Sequence, residues 1–309
     1  MSFEKECIVV IGGANLDIRG RALKEIDWNS SNPAQIKTSP GGVARNIAEN
    51  LGRLGKKTFL FSAVGDDLTG KQLLEETERS GVIVDRIKIC RGKNTGTYLA
   101  FLDQSGDLAL GMSDMDLLRA IDPGYLESQE RIFKQAKMVI ADTNLEISAL
   151  ETVGRLREKF GFSLVLETVS VAKAPRAIPL LGATSILATN REEFKAILPG
   201  PLETNEDLAR AGKKILALGV DILLLKMGEK GLYVHSREGI FNFPAEKVKI
   251  RDATGAGDSL VAAFVAGFME GWSLELCSGF AQKVAKITLK AVGSVSPEIN
   301  RGLMEGVKE

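Results

Sequence analysis

The sequence predicts an α/β fold, a three-layer α/β/α sandwich in which a mostly parallel central sheet lies between helices, with a small β-sheet lid. Three observations support this prediction. Short apolar runs alternate with longer amphipathic stretches along most of the chain, as in repeated strand–helix units. Two segments break this alternation with strand-like patterns of their own. No internal repeat or linker divides the 309 residues, so we expect one domain spanning residues 1–309.

The predicted core strands are short apolar runs typical of strands buried on both faces. They lie at residues 8–11, 58–64, 138–142, 163–166, 185–188 and 222–227. The predicted helices between them are amphipathic stretches. They lie at residues 44–54, 69–80, 147–160 and 205–218. Because a helix separates successive strands, we expect the strands to run parallel.

Two segments predict the lid, at about residues 15–39 and 95–113. The first contains no convincing helix. The second predicts a hairpin over residues 96–112, with its turn at residues 103–106, because strand-like runs flank a polar, glycine-containing turn. An exposed sheet edge can pair with another chain. We therefore expect a homodimer formed through the lid.

The composition favours a small-molecule partner. Lys plus Arg and Asp plus Glu both number 40, so no net charge attracts nucleic acid or an anionic membrane. Cys7, Cys90 and Cys277 are widely spaced, which predicts reduced thiols and a cytoplasmic location. No apolar run approaches the roughly 18 residues of a membrane span. His235 is the only histidine; this excludes a histidine metal cluster, and we expect it to be a surface or turn-facing residue.

The segment at residues 251–258 is the most informative about chemistry, and an apolar, helix-like run at 259–267 follows it directly. Gly255 and Gly257 let the backbone approach an anion closely, and the start of the helix adds partial positive charge. Asp258, in the first helical turn, could accept a proton from an attacking hydroxyl. An acid that only stabilises the helix start remains the alternative.

Two familiar phosphate-binding motifs are absent from the sequence. No G-x-x-x-x-G-K-[ST] segment occurs, and residues 255–260 lack the third glycine of a dinucleotide fingerprint. That segment also lies late in the chain and outside a first strand–helix unit. These absences disfavour a P-loop enzyme and a dehydrogenase.

A second glycine turn, at Gly41 and Gly42, opens a predicted helix with one apolar face. Asn46 falls in its first turn, where the amide could reach a sugar hydroxyl or could serve only the helix start. Asn15 and Asp17 follow the first strand with one residue between them, so both point to the same side of an extended chain. An amide and a carboxylate on one side suit vicinal hydroxyls, although such pairs also stabilise turns.

The chain resembles the ribokinase-like (PfkB) family of carbohydrate and nucleoside kinases. The resemblance rests on the glycine turn at 41–46 and on residues 252–258, in the expected order, and it runs essentially end to end. It implies the ribokinase-like fold, ATP as phosphoryl donor, and a primary hydroxyl as acceptor. Segments at 13–18, 31–33, 36–37, 40–43, 45–48, 113–115 and 280–282 resemble the branch that phosphorylates O5′ of pseudouridine. Ribose, fructose or adenosine stays an alternative substrate, and a non-catalytic nucleoside- or sugar-binding protein a lesser one.

The resemblance implies a role for each matching residue. Asp258 would be the base, and the backbone N–H groups of Gly255, Ala256 and Gly257 would hold the developing charge. The residues implied to hold the substrate are Asn15, Asp17, Gly41, Gly42 and Asn46, with Asp114 and Met115 towards the base or the far end of the sugar. The residues implied on the nucleotide side are Asn190, Lys226, Gly228, Gly231, Gly255, Gly257 and Gln282.

Two metal sites follow from the same resemblance. Asn190 and Glu193 form an N-x-x-E element that would organise Mg²⁺ and its waters, unless they only begin a solvated helix. Asp252 and Thr254, with the backbone of residues 292–296, would hold a potassium-type ion. A structural role for Asp252 as a brace of its loop stays open.

The sequence departs from the family at two places near the implied phosphate site. Residues 167–170 stand where relatives often have Asp-Pro, and Ala188 and Thr189 precede Asn190 where Lys-Pro is frequent. We expect these differences to alter the surroundings of the phosphates and to leave the base and the anion hole intact.

Overall fold

Strands and helices alternate through residues 6–307, the part of the chain that the computed structural model describes. The strands in this range are β1 (Cys7–Ile11), β2 (Asn15–Ala22), β3 (Ala34–Gly41), β4 (Thr58–Phe61), β5 (Ala63–Gly65), β6 (Val82–Ile83), β7 (Lys88–Cys90), β8 (Thr97–Leu102), β9 (Leu108–Asp114), β10 (Ala136–Asp142), β11 (Ser163–Glu167), β12 (Ile186–Asn190), β13 (Ile222–Lys226), β14 (Leu232–Ser236) and β15 (Gly239–Phe243). The helices are α1 (Val43–Arg53), α2 (Leu68–Arg79), α3 (Pro123–Ser128), α4 (Glu130–Phe133), α5 (Ile147–Phe160), α6 (Arg191–Ile197), α7 (Asn205–Ala217), α8 (Ala256–Met269), α9 (Leu274–Lys290) and α10 (Gly302–Glu305).

A nine-stranded sheet forms the centre of the described residues, in the order β15-β14-β13-β12-β11-β10-β1-β4-β6. From β6 to β13 every neighbouring pair runs parallel, whereas β14 and β15 are added antiparallel at one edge. The carboxyl ends of the parallel strands therefore lie along the same side of the sheet, where ligands bind in open α/β folds.

Both faces of this sheet are buried because helices cover both. Ile8 and Val10 of β1 point into one apolar core, and Val9 and Ile11 point into the other. The first core includes side chains of α1, α8 and α9, and the second includes side chains of α5 and α7. This arrangement confirms the predicted three-layer α/β/α fold.

One predicted strand, at residues 58–64, is divided in two. β4 pairs with β1 in the main sheet, whereas β5 pairs with β7 in a separate two-stranded sheet. The break falls at Ser62, whose hydroxyl donates a hydrogen bond of 2.6 Å to the carbonyl oxygen of Gly12. The side chain of Ser62 thus ties the strand break to the end of β1.

A second, four-stranded sheet forms the lid, in the order β3-β2-β8-β9. β2 and β8 run parallel and the outer pairs antiparallel, so the predicted hairpin of β8 and β9 is confirmed. Side chains alternate between the faces of a strand. Asn15, Asp17 and Arg19 of β2 therefore share one face of the lid, and Leu16 and Ile18 share the other.

The expectation that His235 lies at the surface or faces a turn is wrong. The residue is 5% exposed in β14, and its Nδ1 atom lies 3.2 Å from the hydroxyl of Tyr233. A Cβ atom at Gly212 would lie 1.9 Å from that nitrogen, so α7 covers the ring closely. β15 extends the sheet beyond β14, which encloses the histidine.

Among the helices of residues 6–307, none has the length and apolarity needed to cross a membrane.

Candidate active site

The predicted anion hole lies at the amino-terminal end of α8. Its N-cap residue, Gly255, has a φ of 74°, and a Cβ atom there would lie 1.8 Å from the carbonyl oxygen of Ser294. Only glycine fits this position without moving the backbone. The first-turn N–H groups of Gly257 and Asp258 have no carbonyl partner within an α-helix, whereas that of Ala256 lies 3.4 Å from the carbonyl oxygen of Ala253. All three lie at the positive end of the helix. The helix start is therefore suited to a phosphate oxygen.

Asp258 is the third residue of α8, in the predicted first turn. Desolvation raises the pKa of its carboxyl group to about 6, and the negative charges of Asp142 and Asp17 act in the same direction. The hydrogen bond from Asn46 and the charge of Lys226 oppose this rise in pKa. A carboxyl group with this pKa is ionised at neutral pH yet more basic than an exposed aspartate, as a general base requires.

Asn46 holds the carboxylate of Asp258. Its Nδ2 atom donates a hydrogen bond of 2.7 Å to Asp258 Oδ2, and its Oδ1 atom accepts one of 2.8 Å from Arg45 Nη1. An arginine can only donate, so this contact fixes which end of the amide faces the carboxylate. Arg45 is itself buried and paired with Glu49 on the next turn of α1. The motif suggested Asn46 as a sugar ligand; the structure shows that it also orients the Asp258 carboxylate.

The predicted substrate residues of the lid lie together. Asn15 donates a hydrogen bond of 2.7 Å from Nδ2 to Asp17 Oδ1, and β2 pairs Asn15 directly with Gly41 of β3. A Cβ atom on Gly41 would lie 2.2 Å from the carboxylate of Asp17, so the absence of a side chain makes room for that group. Gly42 follows as the N-cap of α1. Desolvation raises the pKa of Asp17, which indicates a carboxylate with little access to bulk water.

Met115 and Asp114 differ in their surroundings. The sulfur of Met115 would lie 3.2 Å from a Cβ atom at Gly96, and its methyl carbon 2.9 Å from one at Gly13. Met115 thus lies next to Gly13, which precedes β2, and next to Gly96, which precedes β8. Asp114 is exposed at the end of β9. The structure therefore brings Met115 to the site and places Asp114 at its rim.

Lys226, at the end of β13, lies on the other side of the anion hole. A Cβ atom on Gly257 would lie 3.6 Å from its Nζ atom, and Nζ donates a hydrogen bond of 2.6 Å to Glu167 Oε1. Burial disfavours its charge, but the carboxylates of Glu167, Glu193 and Asp258 outweigh that effect and raise its pKa. Lys226 therefore stays charged beside the helix start, where it adds to the attraction for phosphate.

Glu167 is a site residue to which sequence reasoning gave no role. Burial raises the pKa of its carboxyl group to about 7, although the charge of Lys226 opposes the shift. Its Oε2 atom is buried and has no hydrogen-bond partner within residues 6–307. A buried oxygen without a partner is costly unless another group uses it. The sequence signal was the departure from Asp-Pro at this position.

Asn190 and Glu193 form a capping box at the start of α6. Glu193 Oε2 accepts hydrogen bonds from the backbone of Asn190 and from the Thr168 hydroxyl, at 3.1 and 2.6 Å, and Oε1 accepts one of 2.6 Å from the Asn190 amide. These residues thus begin a helix, but Glu193 is 4% exposed, so the helix start is not the solvated one that the alternative expected. The charge of Glu193 acts on both Lys226 and Glu167.

These oxygens fit a hydrated magnesium ion. Across residues 6–307, no group of three or more His, Cys, Asp or Glu side chains is placed to hold a metal by itself. Magnesium keeps several waters and is commonly bound by one or two carboxylates together with substrate phosphates. The partnerless Oε2 of Glu167 and the remaining lone pairs of Glu193 match that requirement.

The other predicted nucleotide residues lie beyond Lys226. Gly228 is in the turn after β13, and apart from its chain neighbours no atom of residues 6–307 lies within 4 Å of the position a Cβ would take there. Gly231 begins the return, and its Cβ position would lie 2.0 Å from the carbonyl oxygen of Phe243. Gln282 of α9 donates a hydrogen bond of 2.6 Å to that same carbonyl. The structure thus gathers Gly231 and Gln282 at the end of β15 and leaves Gly228 open.

Asp252 and Thr254 direct their side-chain oxygens to Arg19. Its Nη1 atom lies 2.8 and 2.7 Å from the two carboxylate oxygens of Asp252 and 2.7 Å from Thr254 Oγ1. Burial acts to raise the pKa of Asp252, but hydrogen bonds from the backbone N–H groups of Thr254 and Gly293, together with the charge of Arg19, lower it overall. Sequence reasoning missed Arg19. Its position two residues after Asp17 on an extended strand was the available signal.

Comparison with known proteins gives the same class. The pfkB family of carbohydrate kinases matches residues 5–301. A pseudouridine kinase from Escherichia coli (strain K12) is 33% identical over 298 residues, which cover 96% of this chain and 95% of that protein. A guanosine-inosine kinase from Exiguobacterium acetylicum is 28% identical and is matched over 96% of each chain. Arabidopsis thaliana ribokinase, complexed with ribose and ATP, has a TM-score of 0.85 at 24% identity, covering 98% of this chain and 99% of that one.

The chain belongs to the pfkB family of carbohydrate kinases. It is a phosphotransferase that acts on a hydroxyl group of a sugar or nucleoside. The predicted ribokinase-like fold with a lid is confirmed, and an enzyme is favoured over a non-catalytic binding protein.

Replacement of the base should separate binding from chemistry. In Asp258→Asn the helix start and Lys226 remain, but the side chain can no longer take a proton, so we expect the single-turnover rate to fall by about 10²- to 10⁴-fold. Rapid-quench measurements with saturating ATP and acceptor would test this, with nucleotide affinity measured in parallel. Asp116→Asn is the control, because that side chain is 82% exposed. A near-normal rate in Asp258→Asn would show that Asp258 is not the base.

The pH dependence of the rate should follow the pKa of Asp258. Below about pH 6 the carboxyl group is protonated, so we expect the single-turnover rate to drop by about tenfold per pH unit. The hydrogen bond from Asn46 stabilises the carboxylate and lowers this pKa, so Asn46→Ala should move the midpoint to higher pH. A midpoint that stays fixed or moves down in Asn46→Ala would contradict this assignment.

Proposed function

We propose that this kinase transfers the γ-phosphoryl group of ATP to O5′ of pseudouridine. The arrangement of Asp258 beside the lid residues supports this proposal. The carboxylate of Asp258 lies at the start of α8 and is held by Asn46, and the lid residues Asn15 and Asp17 are close enough to the base for the charge of Asp17 to raise its pKa. The identity to a pseudouridine kinase over nearly the whole chain supports this choice of acceptor.

The lid residues hold the ribosyl part of the acceptor in this proposal. The Asp17 carboxylate accepts hydrogen bonds from two neighbouring hydroxyls, and the Asn15 amide fixes its orientation. Gly41 and Gly42 let the sugar approach the backbone, and Met115 contacts the base or the far end of the sugar. The acceptor's primary hydroxyl is then directed to Asp258.

The residues of the site can account for each bond and proton in the transfer step. The hydroxyl oxygen forms a bond to the γ-phosphorus as its proton passes to Asp258, and the bond from that phosphorus to the bridging oxygen breaks to release ADP. The N–H groups at the start of α8 and the ammonium of Lys226 stabilise the charge on the transferring group. Gln282, Gly228 and Gly231 lie on the nucleotide side. Magnesium held through Glu193, Asn190 and Glu167 would neutralise phosphate charge.

A substrate panel tests this proposal. We expect kcat/KM for pseudouridine to exceed that for ribose and fructose by at least tenfold, because one extra set of base contacts is worth at least about 1.4 kcal/mol. Coupled measurement of ADP release with pseudouridine, uridine, adenosine, inosine, ribose and fructose would give the ranking, and the Asp258→Asn variant supplies the background. Turnover of ribose or fructose without turnover of pseudouridine would contradict the assignment.

A purine nucleoside is the second candidate acceptor. The 28% identity to a guanosine-inosine kinase over 96% of both chains favours it. The same lid residues would hold its ribose, and the difference would lie around Met115. Inosine and adenosine in the panel decide between the two.

We also propose a cytoplasmic homodimer that forms through the lid. The lid face opposite Asp17 is apolar and exposed. Its exposed members include Ile36, Phe101, Leu110 and Met112, with exposed fractions of 69, 45, 43 and 54%. A sheet face of this kind is a common interaction surface. The three cysteines are free thiols, as expected of a reducing compartment.

Light scattering after size exclusion tests the dimer. We expect about twice the chain mass of 33.3 kDa, and Leu110→Glu should shift the protein towards the monomer because it places a charge in an apolar contact. Leu218→Glu is the matched control, since Leu218 is 50% exposed outside the lid. A monomer mass for the unmodified protein at tens of micromolar would overturn the lid dimer.

A further inference from the structure

Arg19 occupies the place where the family resemblance implies a monovalent cation. It lies on lid strand β2, and its Nη1 atom lies within 2.7–2.8 Å of three side-chain oxygens, two from Asp252 and one from Thr254. Nη2 lies 3.3 Å from Ser39 Oγ on the neighbouring lid strand. The Arg19 and Asp252 side chains are 17 and 14% exposed, so this ion pair is largely removed from water.

The oxygens of Asp252 have no capacity left for a metal ion. Besides the two contacts with Arg19, Oδ1 accepts a hydrogen bond of 3.0 Å from the Thr254 N–H and Oδ2 one of 3.1 Å from the Gly293 N–H. A carboxylate offers about four lone-pair sites, and four contacts from three donor nitrogens use them. Asp252 and Thr254 therefore do not fit a resident potassium ion while Arg19 is in place.

The loop that Arg19 contacts is the loop that shapes the anion hole. Asp252 and Thr254 directly precede Gly255, and Gly255 is pressed against the carbonyl of Ser294. The segment that carries Ser294 is tied to Asp252 through the Gly293 N–H. A charge on Asp252 thus fixes both chain segments that surround the first turn of α8.

We propose that Arg19 replaces the monovalent cation, as a fixed positive charge from the lid that shapes the anion hole, and that turnover is independent of potassium. Arg19 acts through Asp252 and Thr254, so it is a positioning residue. Because β2 carries both Asp17 and Arg19, the lid supplies the carboxylate that holds the acceptor and the positive charge beside Asp252. This inference rests on the proposed kinase function only for its kinetic measurement.

The kinetic experiment compares potassium chloride with choline chloride at equal ionic strength, using ATP as the magnesium complex. We expect the kcat of the unmodified kinase to agree within twofold between the two salts. Arg19→Ala should lose at least tenfold in kcat in choline chloride and regain part of it, saturably, in potassium chloride. Its KM for ATP should change less than its kcat, because Lys226 and the N–H groups remain. Arg19→Lys should retain potassium independence.

Arg21→Ala is the matched control. Arg21 lies on the same strand and the same face of the lid, but it is exposed and donates to the carbonyl of Gln104. Its loss should leave kcat and the response to potassium unchanged. A saturable activation of the unmodified kinase by potassium of fivefold or more would overturn the proposal, and so would an Arg19→Ala variant with full kcat in choline chloride.

Thermal unfolding provides a readout that needs no turnover. We expect the Tm of the unmodified protein to be the same in potassium and choline chloride, whereas Arg19→Ala should gain a potassium-specific rise in Tm, since a bound ion stabilises the folded state. A potassium-specific rise in the unmodified protein would contradict the proposal even if Arg19→Ala did not fold. If no acceptor of the panel were phosphorylated, the substrate assignment would fail while this measurement still decided the role of Arg19.

Discussion

The hydrogen bond between Asn46 and Asp258 joins the starts of two adjacent helices, and the site is arranged around it. α1 and α8 pack against each other, and each begins at a glycine with positive φ. A carboxylate of the protein already occupies the start of α1, because Asp142 accepts hydrogen bonds from the N–H groups of Gly13 and Ala44 at 2.9 and 3.1 Å. Asp258 lies in the first turn of α8, but among residues 6–307 no carboxylate accepts a hydrogen bond from the first N–H groups of that helix. Of the two positive helix ends, one thus serves structure and the other is free for a phosphate.

The lid and the nucleotide side are coupled to this centre by charge. Asp258 is influenced by Asp17 from the lid and by Lys226 from β13, and the lid is held to the loop before α8 through Arg19. Desolvation is the largest cause of the raised pKa values of Asp258 and Glu167. Removal of water, which limits wasteful ATP hydrolysis, therefore also makes the Asp258 carboxylate more basic.

The sequence was sufficient for the features that depend on local pattern. The alternation of apolar runs and amphipathic stretches gave the layered sheet, and the glycines before an apolar run gave the start of α8. The contacts of Arg19 and Arg45 were not predictable in the same way. Arg19 and Asp252 are separated by 233 residues, and nothing local indicates that the lid reaches this loop. Val169, with a φ of 59°, shows the same limit, because a β-branched residue gives no signal for a turn.

The balance of charge around the acceptor limits what the kinase can phosphorylate. Arg19 is neutralised by Asp252 and Arg45 by Glu49, so these arginines offer little attraction to an anionic sugar. Asp17 and Asp258 remain, and burial raises the pKa of both. A phosphorylated or acidic sugar would bring further negative charge next to two desolvated carboxyl groups, at a cost that grows in a low-dielectric site. A neutral acceptor with hydroxyl donors instead satisfies Asp17 and meets the base. We infer that the lid favours uncharged sugars and nucleosides, while the start of α8 and Lys226 attract the phosphates of the donor.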